Sequence, residues 1–168
     1  MERDALAVAK AIQLDIASQL GPPEDGLLSA SQNVVPMSIV RGTRGYIERV
    51  ANQANGAYAN GWYDACAVMI RRLLETLIIE AFERHGIAAS IKNPLGDFLY
   101  LRDLIDRCLQ SPSWNLTRNS KSAMPKLKDV GDKSAHSRRY NAHRRDLDSL
   151  LPDIRLVVQE LVYLAGLK

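Results

Sequence analysis

Only two cysteines, Cys66 and Cys108, occur among the 168 residues. That is too few for a disulfide scaffold, and their separation fits no metal-binding motif. Both fall in apolar helical patterns, so they are expected to be buried, reduced thiols. Long hydrophobic runs are missing too. The most apolar stretch, 62–82, is broken by Asp64, Arg71, Arg72, Glu75 and Glu80, whereas a membrane-spanning helix needs about 20 mostly apolar residues. The charged start, Met1-Glu2-Arg3-Asp4, is followed by no apolar signal core. The expectation is a cytoplasmic protein with no membrane association. No segment alternates with period two between hairpin turns, which argues against a sheet. There is no Walker loop, no G-x-G-x-x-G, no H-E-x-x-H and no nucleophile elbow, so neither a cofactor nor a metal is implied.

What is present is helical periodicity. The size is that of one domain with one core. Asp4 to Leu20 places Leu6, Ile12, Leu14, Ile16 and Leu20 among good helix formers, ended by Gly21-Pro22-Pro23. An irregular wrap with at most one helical turn is expected from Pro22 to Arg41. Thr43 to Ala59 reads as a helix with Thr43 as N-cap. Trp62 to His85 is the clearest element, with an apolar arc wide enough for packing on more than one side. Gly86 is its stop. Asn93-Pro94 reads as an N-cap followed by proline, opening a helix to about Leu109 that buries Leu95, Phe98, Leu101, Leu104 and Ile105. Leu116 to Ser137 is a polar, basic helix whose regular portion begins at Pro125. Arg144 to Leu167 is a last apolar helix that Pro152 kinks or restarts. The expected fold class is all-α, an antiparallel bundle of five or six helices. Residues 1–41 form an N-terminal helix and wrap, and 42–168 the bundle, within one compact domain.

The net charge of +3 conceals an asymmetry. Residues 118–145 carry nine cations, Arg118, Lys121, Lys126, Lys128, Lys133, Arg138, Arg139, Arg144 and Arg145, against Asp129 and Asp132. That segment is +7, and the other 140 residues are −4. Such a patch is the footprint of a phosphate-backbone binder, or else of a solvated face or a contact with an acidic partner. Only Trp114 and Tyr140 lie near it, which argues against a platform for stacking single-stranded bases. Lys133, Arg138, Arg139, Arg144 and Arg145 are the candidate nucleic-acid contacts.

Within the patch, Asp132 and His136 are four residues apart and share a helix face, with Asp129 nearly in line. A carboxylate there would orient the imidazole, which could then act as acid or base on a phosphodiester, or could simply join two helices. Arg71, Arg72 and Glu75 interrupt the apolar central helix. Charges there must pair with one another or reach toward the His136 segment.

Two strings resemble motifs of a known family. Arg71-Arg72-Leu73-Leu74-Glu75, preceded by Tyr58, Gly61, Trp62 and Tyr63, resembles the R-x-x-L-E helix of an uncharacterised bacterial branch of the HEPN superfamily. Gly131-Asp132-Lys133-Ser134-Ala135-His136 is similar to its later G-N-x-x-A-H string, with Asp for Asn. The resemblance spans about 43–165. It implies a helical bundle, usually a homodimer, acting on or beside RNA or with a cognate protein partner in toxin–antitoxin or anti-phage systems. Active members cleave RNA without metal, using an arginine, four to six residues, then a histidine. Carried over, His136 is the histidine and Asp132 the polar neighbour. Gly131 stands where the arginine should be, and Lys128, the nearest upstream cation, lies too far from His136 for the motif. The expectation is therefore a HEPN-like module, non-catalytic, binding RNA or a protein. A metal-independent endoribonuclease using His136, Asp132 and Lys128 is the alternative, and an unrelated helical interaction domain the third reading.

Overall fold

The structure, a computed structural model, describes residues 7–12 and 33–168. It is an all-α bundle, and among the described residues the only β pairing is an isolated Lys92–Phe98 bridge. Residues 7–12 are helical. The rest of the helix expected over Asp4–Leu20, and the wrap before residue 33, lie outside the described residues. From there the elements are α1 (Met37–Val40), α2 (Gly45–Ala59), α3 (Tyr63–Arg84), a 3-10 turn (Ala88–Ile91), α4 (Leu101–Gln110), α5 (Arg118–His136), α6 (Arg144–Asp148) and α7 (Leu151–Leu164). No described helix is long and apolar enough to cross a membrane.

The wide apolar arc of α3 is what organises the bundle. It contacts α2, α4, α5, α6, α7 and the 3-10 turn. Its Cys66, Ala67, Leu73, Leu77, Ile78 and Ala81 have no exposed surface. Each large side chain so buried contributes about 1.5–3 kcal/mol. The helix stops at Gly86, which takes φ +71°, a conformation that costs glycine nothing. Both cysteines are buried and free, and burial pushes their thiols up to about 12.

Three local expectations need correction. Thr43 does not cap α2. Arg44 holds the N-cap position without a side-chain bond, and the Thr43 hydroxyl donates back to the Val40 carbonyl. Asn93-Pro94 does not open a helix. The Asn93 Oδ1 accepts from the backbone N–H groups of Leu95 and Asp97, both at 2.9 Å, and this local turn competes successfully with the helix. Leu95 and Phe98 are consequently exposed, at 87% and 38%, rather than buried, and α4 starts only at Leu101. Pro125 does not begin α5. Thr117 caps it, its hydroxyl oxygen accepting from Ser120 N at 3.3 Å, and the proline sits inside the helix on its exposed side. Pro152 behaves as expected, separating α6 from α7 and standing in the first turn of the latter.

The segment just before residue 42 belongs to the core. Val34, Val35 and Val40 are fully buried. The side-chain amide of Asn55 satisfies the Val35 backbone on both sides, accepting from its N at 2.8 Å and donating to its O at 2.9 Å. That is how an irregular stretch can be buried without orphaned polar groups.

Candidate functional site

The site is built where α5 crosses α3. The crossing is close because Gly131 has no side chain. A Cβ there would stand 2.6 Å from the Cβ of Arg71 and 3.0 Å from the carbonyl oxygen of Ala67. The Arg71 side chain runs over this glycine and reaches Asp132. Arg71 Nε donates to Asp132 Oδ1 at 2.7 Å. Lys128, one turn earlier on α5, donates to Asp132 Oδ2. Arg71 also faces Glu75 at 3.5 Å. Burial pushes the Asp132 carboxyl up, but the hydrogen bonds and charges of Lys128 and Arg71 outweigh it and hold the group below the usual carboxylate range.

The two sequence strings thus meet in space, through Arg71 and Asp132. The imidazole is not part of that meeting. Both oxygens of Asp132 are taken by cations, so the expected Asp132–His136 pair does not form. His136 is the last residue of α5 and is exposed. Asp129 pairs with Lys133 at 2.7 Å instead, a contact open to solvent on both sides. Arg72 is exposed and makes no ion pair among the described residues, so the expected Arg72–Glu75 contact is absent as well.

The basic segment divides into two groups. Lys126 faces Asp153 at 3.4 Å, Lys128 holds Asp132, Lys133 holds Asp129, and Arg144 faces Asp148 at 3.4 Å. Arg144 is further tied to a buried cluster. The Tyr58 hydroxyl donates to Asp148 and is pushed up to about 12, first by burial and then by that carboxylate. Arg144 is therefore half-buried packing rather than an open nucleic-acid contact. By contrast Arg118, Lys121, Arg138, Arg139 and Arg145 are exposed and have no carboxylate partner among the described residues; the first two lie at the start of α5, away from His136, and the last three at its far end.

These three sit on and beside the 137–143 connection from α5 to α6. That connection is pinned from below. Asp64, in the first turn of α3, accepts from Ala142 N at 2.9 Å, and Ala142 is buried. Tyr140 donates to Asp146 at 3.4 Å, and Asp146 also accepts from His143 N at 2.9 Å. The loop is anchored on its inner side while its arginines face outward. Neither neighbouring aromatic is available for base stacking. Trp114 packs edge-on against Phe82 and beside His85, its indole N–H donating to Cys108 O at 3.0 Å, and Tyr140 is half-buried.

Asp64, Asp148 and Tyr58 were not predicted as parts of this arrangement. For Asp64 the available signal was an acid in the first turn of a helix. For the Tyr58–Asp148 contact, spanning 90 positions, the sequence offers none. No family model, no curated protein and no solved structure matches the chain.

Proposed function

We propose that this protein is a HEPN-like helical module that binds RNA without cleaving it, through the outward-facing arginines of the α5–α6 connection. One observation carries the reading. Of the nine cations in 118–145, the ones left exposed and unpaired around His136 are Arg138, Arg139 and Arg145, all on or beside one anchored loop. An anchored loop of unneutralised guanidinium groups suits phosphate oxygens, which arginine binds in bidentate fashion. The meeting of the R-x-x-L-E and G-D-x-x-A-H strings at the Arg71–Asp132 pair supports their belonging to one module. Asp132 and Lys128 serve the helix crossing in this reading.

The test is RNA affinity measured over a range of salt. Tight binding whose logarithm falls linearly with log salt is expected. Replacing Arg138, Arg139 and Arg145 by Gln should lower the slope by about 2, at roughly 0.7 per phosphate contact on a single strand. Wild-type binding with no salt slope, or a triple variant that binds as the wild type does, contradicts the reading. An acidic peptide bound in place of RNA would assign the loop to a protein contact.

A metal-independent endoribonuclease is the second reading. In its favour, His136 is exposed beside Arg138 and Arg139, where a phosphodiester can reach it. It requires that purified protein cleave RNA in chelator and that His136→Ala abolish the cleavage. The family resemblance also leads us to expect a homodimer, which light scattering at micromolar concentration checks directly.

A further inference from the structure

Among the described residues two apolar surfaces lack a partner, and they are joined by one connection. The first is a groove of about 820 Å³ between α1, α7 and the start of α5. Its walls include Ile39, Leu156, Val162 and Tyr163, and one end is closed by Thr117 and Glu160. Glu160 is already occupied, accepting from Thr117 N at 2.7 Å and Oγ1 at 2.9 Å. Tyr163, on the groove's rim, is 77% exposed. The second surface is the helical stretch 7–12. All six of its residues are exposed, and Val8 and Ile12, four apart on one face, are 57% and 53% exposed.

We infer that the face of residues 7–12 bearing Val8 and Ile12 docks into the α1–α7 groove of the same chain. The occupant is argued from chain connectivity. After residue 12, the described chain resumes at Asn33, and the groove wall is reached at Ser38 and Ile39. The 20 intervening residues can span up to about 65 Å, far more than the roughly 15 Å radius of gyration of a domain this size. The N-terminal stretch is thus held at high effective concentration beside the groove, so intramolecular docking is favoured over capture of a second molecule. The groove's walls are apolar at Ile39, Leu156, Val162 and Tyr163, and its two charged lining residues already have partners, Glu160 in Thr117 and Lys168 in the Ser38 carbonyl. Docking also covers Thr117, the cap of the helix that carries the Arg71–Asp132 crossing. This inference does not depend on RNA binding.

Cysteine cross-linking in the full chain tests it. Cys66 and Cys108 are buried, so they do not compete. The pairs Val8→Cys with Tyr163→Cys, and Ile12→Cys with Leu156→Cys, should each form a disulfide within one chain. They should do so at least about tenfold faster than a control pairing of Val8→Cys with Leu95→Cys, as a raised effective concentration requires. In parallel, the methyl resonances of Ile39, Leu156 and Val162 should shift when Val8 and Ile12 are both changed to Glu, exposed positions whose replacement leaves the core intact. Cross-linking no faster than the control with unmoved methyl resonances overturns the inference. Cross-links found only between two chains overturn it as well, in favour of exchange between copies.

Discussion

Gly131 has no room for a methyl group. Helix propensity alone favours alanine over glycine by about 1 kcal/mol. Against that, the new Cβ would collide with the Arg71 Cβ and the Ala67 carbonyl, neither of which can swing aside. Overpacking of this kind costs about 1–3 kcal/mol, so Gly131→Ala should lower the urea midpoint, and a raised midpoint would contradict the close crossing. An arginine at this position is excluded more firmly still. The neighbouring Asp132 makes a pH-dependent contribution. Its folded pKa lies below the unfolded value, so its stabilisation is complete above the unfolded value of about 3.9 and fades as pH falls through the folded one. Asp132→Asn should cost on the order of 1 kcal/mol at neutral pH. That difference should shrink in denaturation series taken toward acid. The motif residues were legible as a group from spacing alone. Their pairing was legible in part: the charges of the central helix were expected to pair with one another or to reach the His136 segment, and Arg71 does both, but the i,i+4 relation on α5 gave no sign that its guanidinium would take Asp132 in place of His136.

At the scale of elements, the apolar arc of residues 62–85 announced the central helix, and Gly86 its end. The failures came where short side chains bond their own backbone. Asn93 prefers a turn through Leu95 and Asp97, which no hydrophobic count detects. Thr117, not Pro125, starts α5, and it does so with help from Glu160, 43 positions away. Thr117→Val keeps the shape but removes the hydroxyl that accepts from Ser120 and donates to Glu160. A loss of about 1 kcal/mol is expected from the cap, read as a lower urea midpoint, with the amide of Ser120 exchanging faster. An unchanged midpoint would mean that the bond to Glu160 from the Thr117 N–H suffices by itself.

At the scale of the molecule, the charge asymmetry read from the sequence needs a second reading. The +7 of residues 118–145 is a formal sum. In the fold, carboxylates at Asp129, Asp132, Asp148 and Asp153 lie against four of the nine cations, and two of those acids come from beyond the segment. What a polyanion meets depends on which charges remain open, since a paired cation must surrender its carboxylate before it can displace a counterion. Two variants with the same change in net charge separate these views. Lys126→Gln with Lys133→Gln removes two exposed but paired cations. Arg138→Gln with Arg139→Gln removes two unpaired ones. If net charge alone attracts RNA, both variants weaken binding alike at every salt concentration. If the open loop is the contact, the arginine variant loses affinity about tenfold or more at moderate salt and shows a flatter salt slope. The lysine variant should then stay within about threefold of the wild type, its small loss coming from the carboxylates it frees, Asp153 and Asp129, which repel phosphate. Equal losses in the two variants would return the basic segment to what its composition alone implied, a diffuse positive field with no particular point of contact.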